Sequence, residues 1–145
     1  MRRRRLATVL ASTALAAGTM LTTATPASAD PNFTFSYTKY SSGSLVINVY
    51  TNGTHSGRAE FQADPIPDAV PGDAIRAQDS LDDGWGIKAI MTFPESREVS
   101  TSGHPSPYTT GWDTGDLEEG ETVIMRACAT KSGSSYCSPS YGGIA

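Results

Sequence analysis

The stretch "DSLDDGWGIKAIM", Asp79 to Met91, sets three carboxylates and two glycines in front of an alternating apolar run. Register decides what it means. A two-residue Asp83-Gly84 loop would oppose Trp85, Ile87, Ala89 and Met91 to Asp82, Ser80, Gln78 and Arg76, an apolar face against a polar one. A three-residue loop, Asp82 to Gly84, pairs Trp85 with Leu81, Ile87 with Asp79, Ala89 with Ala77 and Met91 with Ile75. A one-residue slip turns every side chain to the other face, so the second register is expected. It corresponds to a type I turn closed by a residue in the left-handed region, which makes Gly84 a structural turn residue.

Asp79 then falls on the apolar face beside Ile87, and a buried carboxylate needs a partner. One solution is a turn brace, with Asp79 accepting hydrogen bonds from the amides of Asp82 to Gly84. The other is a calcium ion held by Asp79 with Asp82, Asp83 or the acids of the Asp68/Asp73 loop. An EF-hand is excluded, because aligning Gly84 with the invariant glycine puts Leu81 and Ile90 where oxygen ligands belong. Apart from calcium, no cofactor is indicated.

Outward from this stretch the dominant period is two, with turn signals about every ten residues. "FTFSYTKY" (33–40) alternates Phe33, Phe35, Tyr37 against Thr34, Ser36, Thr38, and "SLVINVYT" (44–51) alternates Leu45, Ile47, Val49. "TNGTHSG" (51–57) is a turn cluster before "RAEFQA" (58–63). "DPIPDAVPGD" (64–73) carries three prolines, cannot be a central strand, and reads as a crossover between sheets. Strands at 96–101, 108–114, 121–130 and 134–140 follow, then a Gly-rich tail. No stretch after the leader shows a capped 3.6-residue period. The fold expected is all-β: an immunoglobulin-like antiparallel β-sandwich of about eight or nine short strands.

Residues 1–29 read as a secretory signal peptide. Arg2 to Arg5 form a basic start, an Ala/Leu-rich run extends to about Leu21, and "ASA" (27–29) supplies the cleavage site. The apolar run is short and too rich in Thr and Ser for a spanning helix, so no membrane span is expected in the mature chain. Residues 30–145 are expected to form a single secreted, extracellular domain. This part holds seven Lys/Arg against 15 Asp/Glu, a net charge of −8. Such an acidic surface repels phosphate backbones, which excludes nucleic acid as a partner.

Two cysteines, Cys128 and Cys137, occur in "CATKSGSSYC". A hairpin centred on Ser132-Gly133 opposes them directly, at a Cα separation of ~4.5–5.5 Å that a disulfide spans. Alternation puts Val123, Met125, Ala127 and Tyr136 on the core face, so the bridge is a staple within one sheet. With "DSLDDGWGIKA", "LEEGETVIMRAC" and "YCS", the chain resembles small secreted actinobacterial β-sandwich proteins, which are largely uncharacterised. The resemblance implies export and fold and brings no activity. Chromoprotein-antibiotic carriers and subtilisin-inhibitor-type domains differ in carrying two disulfides.

No nucleophile elbow accompanies His104 in "TSGHPSPY", and His55 lies in a turn cluster, so no catalytic residue is expected. The role expected is non-catalytic binding or interaction with an extracellular protein or glycan. A calcium-dependent or carbohydrate-binding module is one form of it, and a small hydrolase is the remaining alternative. Tyr108, Trp112 and Asp113 in "PYTTGWDTGD" would form a ligand platform if exposed. If Tyr108, Thr110 and Trp112 belong to one strand, they face inward instead, and burial is the expected state of such aromatics.

Overall fold

A computed structural model describes residues 29–145, and the signal-peptide stretch up to residue 28 lies outside the described residues. The described chain is all-β, with no helix among the described residues. Its strands are β1 (Phe33–Lys39), β2 (Leu45–Thr51), β3 (Thr54–Gln62), β4 (Ala74–Asp79), β5 (Gly86–Phe93) and β6 (Arg97–Ser100). They continue with β7 (Tyr108–Thr109), β8 (Asp113–Thr114), β9 (Thr122–Lys131), β10 (Ser134–Cys137) and β11 (Tyr141–Ile144). One antiparallel sheet runs β1-β2-β3-β4-β7, with β8 also on β4. The other runs β10-β9-β5-β6, with β11 also on β9.

The alternating pattern produces this arrangement directly. Leu45, Ile47 and Val49 of β2, Ala59 and Phe61 of β3, and Ile75 and Ala77 of β4 point to one side of the first sheet. They meet Ile87, Ala89 and Met91 of β5 and Val123, Met125, Ala127 and Ala129 of β9, all essentially inaccessible to water. Phe33, Trp85 and Tyr136 close one end of this core, with ring centroids 4.9–5.5 Å apart. The β2–β3 connection shrinks to Asn52-Gly53, both at positive φ, so β3 already begins at Thr54. Two left-handed residues in succession match the twist of the flanking strands.

The expected hairpin across Asp82–Gly84 is not formed. β4 pairs with β3 (Ile75 with Phe61, Ala77 with Ala59, Asp79 with Gly57), whereas β5 pairs with β9 (Ile87 with Ala129, Ala89 with Ala127, Met91 with Met125). Residues 80–85 therefore carry the chain from one sheet to the other. Both arrangements bury the same apolar faces, so a period of two cannot separate them. Gly84 does take the left-handed conformation, at φ 76°.

The Pro-rich segment 64–73 is the reverse case. It joins β3 to its own neighbour β4 and folds back through an Ile66–Val70 bridge, so it is an excursion from one sheet and not a crossover. Among the described residues the strands number eleven, not eight or nine, for two reasons. Residues 108–114 split into β7 and β8, and the Gly-rich tail is β11, paired to β9 from Tyr141–Met125 to Ile144–Thr122.

The disulfide joins Cys128 to Cys137 in the expected register, with Ser134 opposite Lys131. Ser132 and Gly133 both have positive φ, and the bridge lies within one sheet as expected. No helix among the described residues is long and apolar enough to cross a membrane.

Candidate ligand-binding face

The Asp79–Gly84 loop is braced by its own carboxylates. Asp79 Oδ1 accepts from the Leu81 amide at 3.2 Å, and Asp83 Oδ1 accepts from the Trp85 amide at 2.9 Å. The Asp79 bond thus forms one residue earlier than the expected Asp82–Gly84 amides. The Ser80 amide ties the loop to the Ser56 carbonyl of β3. Asp79 is only 3 % exposed, and burial pushes its carboxyl above the ordinary 3.8. The Ser106 hydroxyl and Leu81 amide oppose that rise, while the Asp83 and Asp82 charges add to it.

With Asp82, Trp85, Ser102, His104 and Lys131, Asp79 lines a cavity of about 270 Å³. No group of three or more His, Cys, Asp or Glu side chains among the described residues could hold a metal ion. Asp83 Oδ2 is buried without a partner, but Asp83 does not line the cavity. The hydroxyls near His104 are engaged elsewhere. Ser102 Oγ bonds Ser100 and Thr130, Ser106 Oγ donates to the Leu81 carbonyl, and the His104 ring lies flat on Tyr108 at 3.9 Å.

Tyr108, Trp112 and Asp113 do come together, but not on one strand. β7 pairs with the end of β4 at Gln78 and Asp79, and β8 pairs with its start at Ala74 and Ile75. Thr110 extends the first contact, because its amide donates to the Ala77 carbonyl and its Oγ1 accepts from the Ala77 amide. Only Gly111 and Trp112 are left to span from Ala77 to Ile75, which brings Trp112 opposite Arg76. Arg76 belongs to the outward-pointing set of β4, so the Trp112 ring is turned away from the core and stacks on the guanidinium, 4.2 Å from ring centroid to Cζ. The inward-facing arrangement expected for Trp112 is therefore overturned by the way β4 shares its edge between two short strands.

The segment is pinned from the second sheet. Arg97 of β6 donates to the carbonyls of Asp113 (3.0 Å) and Asp73 (2.9 Å), and Asp73 Oδ2 accepts from the Leu117 amide. Arg97 Nε lies 2.9 Å from Glu95 Oε1 as an ion pair, at an angle too poor for a hydrogen bond. Trp112 is thus a half-buried aromatic on a fixed backbone, and fixed aromatics make effective contact platforms.

Two depressions flank this ring. One, of about 470 Å³, is lined by Tyr108, Thr110, Trp112 and Asp113 with Glu98 and Ser100. The other, of about 380 Å³, is lined by Trp112, Tyr40, Val46, Glu60, Gln62 and Ile66. Glu60 is ion-paired to Arg76 and, at 3.4 Å, to Arg58. Tyr40, Glu60 and Arg76 were not singled out from the sequence. Tyr40 had a readable signal, being the large aromatic at the end of an otherwise Thr/Ser outward face, Thr34-Ser36-Thr38. No protein-family model matches the chain, and neither a curated protein nor a solved structure matches it.

Proposed function

We propose that this chain is an exported, non-catalytic binding domain, an immunoglobulin-like β-sandwich stapled by Cys128–Cys137, whose ligand is an extracellular carbohydrate. One observation carries the reading: Trp112 is held outside the core on the Arg76 guanidinium, between two depressions lined by hydroxyl, carboxylate and amide side chains. An aromatic ring presents an apolar face to the C–H side of a sugar, and the polar groups around it address the hydroxyls. The basic leader, the oxidised cysteine pair and the net −8 charge after residue 29 support an extracellular setting.

The test is tryptophan fluorescence with neutral oligosaccharides as titrants. Trp85 contributes a constant background, since its edge contacts with Phe33 and Tyr136 lie at the end of the core. The expected result is a saturable emission change with at least one sugar series that disappears in Trp112→Phe. Sugar-insensitive emission, together with poor quenching of Trp112 by acrylamide, would sink the reading.

A further inference from the structure

We infer that the ligand is an extended, uncharged polysaccharide chain lying in a groove across the outer face of the first sheet, with Tyr40 as a second stacking platform. This rests on reading Trp112 as the binding platform. Three depressions share walls in sequence. Trp112 borders both the Tyr108 depression and the Glu60 depression, and Tyr40 borders both the Glu60 depression and a third, of about 440 Å³, lined with Lys39, Gly43 and Ile144.

Tyr40 is 51 % exposed and continues the line of β1, its amide donating to Ser44 of the β2 side. The Trp112 ring sits over Arg76 of β4, and its backbone lies one strand further out, between β7 and β8. The backbones of Tyr40 and Trp112 are therefore four inter-strand spacings apart, roughly 19 Å, too far for one small compact ligand to bridge. Ile66, 48 % exposed, borders the trough between them.

The floor between the aromatics favours a neutral polymer. Glu60 spends its charge on Arg76 and Arg58, while Gln62 Nε2 is held by the Asp64 carbonyl and keeps its amide oxygen as an acceptor. Ser41 and Ser42 supply hydroxyls at the Tyr40 end. A peptide adding as a strand is disfavoured here. The trough crosses the strands, and the β4 edge beneath Trp112 is already occupied by β7 and β8. A nucleic acid is disfavoured by the acidic surface.

The experiment measures affinity of residues 30–145 for cello-, chito-, xylo-, manno- and laminari-oligosaccharide ladders from mono- to hexasaccharide. For the series that binds, affinity is expected to rise at least tenfold from disaccharide to hexasaccharide. Tyr40→Ala is expected to weaken the hexasaccharide about tenfold, the size of a modest interface anchor, and to leave the disaccharide unchanged. Trp112→Phe is expected to weaken both. Phe93→Ala, an exposed position on the other sheet, is the control. Equal affinity for short and long chains, or a silent Tyr40→Ala, overturns the groove while leaving Trp112 as a platform. No binding by any ladder overturns the platform and the groove together.

Discussion

Removing the Cys128–Cys137 bridge tests whether it is a local staple or a condition for the fold. The bridge closes a ten-residue hairpin, its two cysteines nine positions apart. The loop-entropy relation for a loop of that length gives about 2.7 kcal/mol at 25 °C. Cys128 is also fully buried, so truncating its sulfur to a methyl adds about 1 kcal/mol of lost packing. Reduction alone should then lower stability by about 2.7 kcal/mol, and Cys128→Ala/Cys137→Ala by about 3–4 kcal/mol. For a domain of this size the reduced protein should melt roughly 8–16 °C lower. Near-ultraviolet circular dichroism should stay unchanged at room temperature, because the Phe33–Trp85–Tyr136 cluster is packed by side chains of both sheets. Thermal melts of oxidised, reduced and double-alanine protein separate the entropic and packing parts. Loss of the aromatic signal on reduction would refute the staple, since the core would then depend on the bridge. An unchanged melt would show that the Ser132-Gly133 turn already closes the loop in the unfolded chain.

Two further perturbations probe the sheet-to-sheet geometry. A Cβ on Gly57 would stand 2.1 Å from the Gln78 carbonyl oxygen and 2.7 Å from Ile87 Cγ1, so β3 has no room for it against its neighbour β4 and the facing β5. Gly57→Ala is expected to destabilise by about 3 kcal/mol or more in denaturant titration, and a loss below about 1 kcal/mol would refute that close approach. Asp79 bears on the loop itself. Its folded carboxyl sits above the unfolded 3.8, so its favourable contribution is full below 3.8 and is lost as pH rises through the folded value. Asp79→Asn should therefore gain on the wild type as pH rises through the carboxylate range and level off above it. A difference independent of pH, or one that moves against the Asn variant as pH rises through the carboxylate range, refutes the assignment.

The strand faces were legible from residue alternation alone. Leu45, Ile47 and Val49, Ile87, Ala89 and Met91, and Val123, Met125 and Ala127 are buried as their spacing requires. The disulfide register was legible as well, because a short hairpin with left-handed turn residues is a local structure. So was the left-handed Gly84. Of the candidate platform, the sequence named Tyr108, Trp112 and Asp113, which do line one depression. It pointed Trp112 the wrong way, by treating residues 108–114 as one strand.

Alternation says which way a side chain points and is silent about which strand lies beside it. Ile75 and Ala77 reach the core whether β4 pairs with β5 or faces it, so only the competition for partners far along the chain decides. Trp112 owes its outward turn to the pairing of its neighbours, Thr110 with Ala77 and Asp113 with Ile75 and Arg97, none of them close in sequence. β11 was hidden because Gly142 and Gly143 carry no side chains to alternate. Gly143 stands where a Cβ would lie 2.9 Å from the Gly43 carbonyl oxygen and 3.2 Å from the Phe61 ring. The sequence by itself determined the all-β class, the buried faces and the staple, which follow from interactions within a few residues. The choice between the sheets, the split of β7 and β8 and the outward aromatic face belong to the tertiary structure, because long-range hydrogen bonds and close packing select them only once distant strands have met.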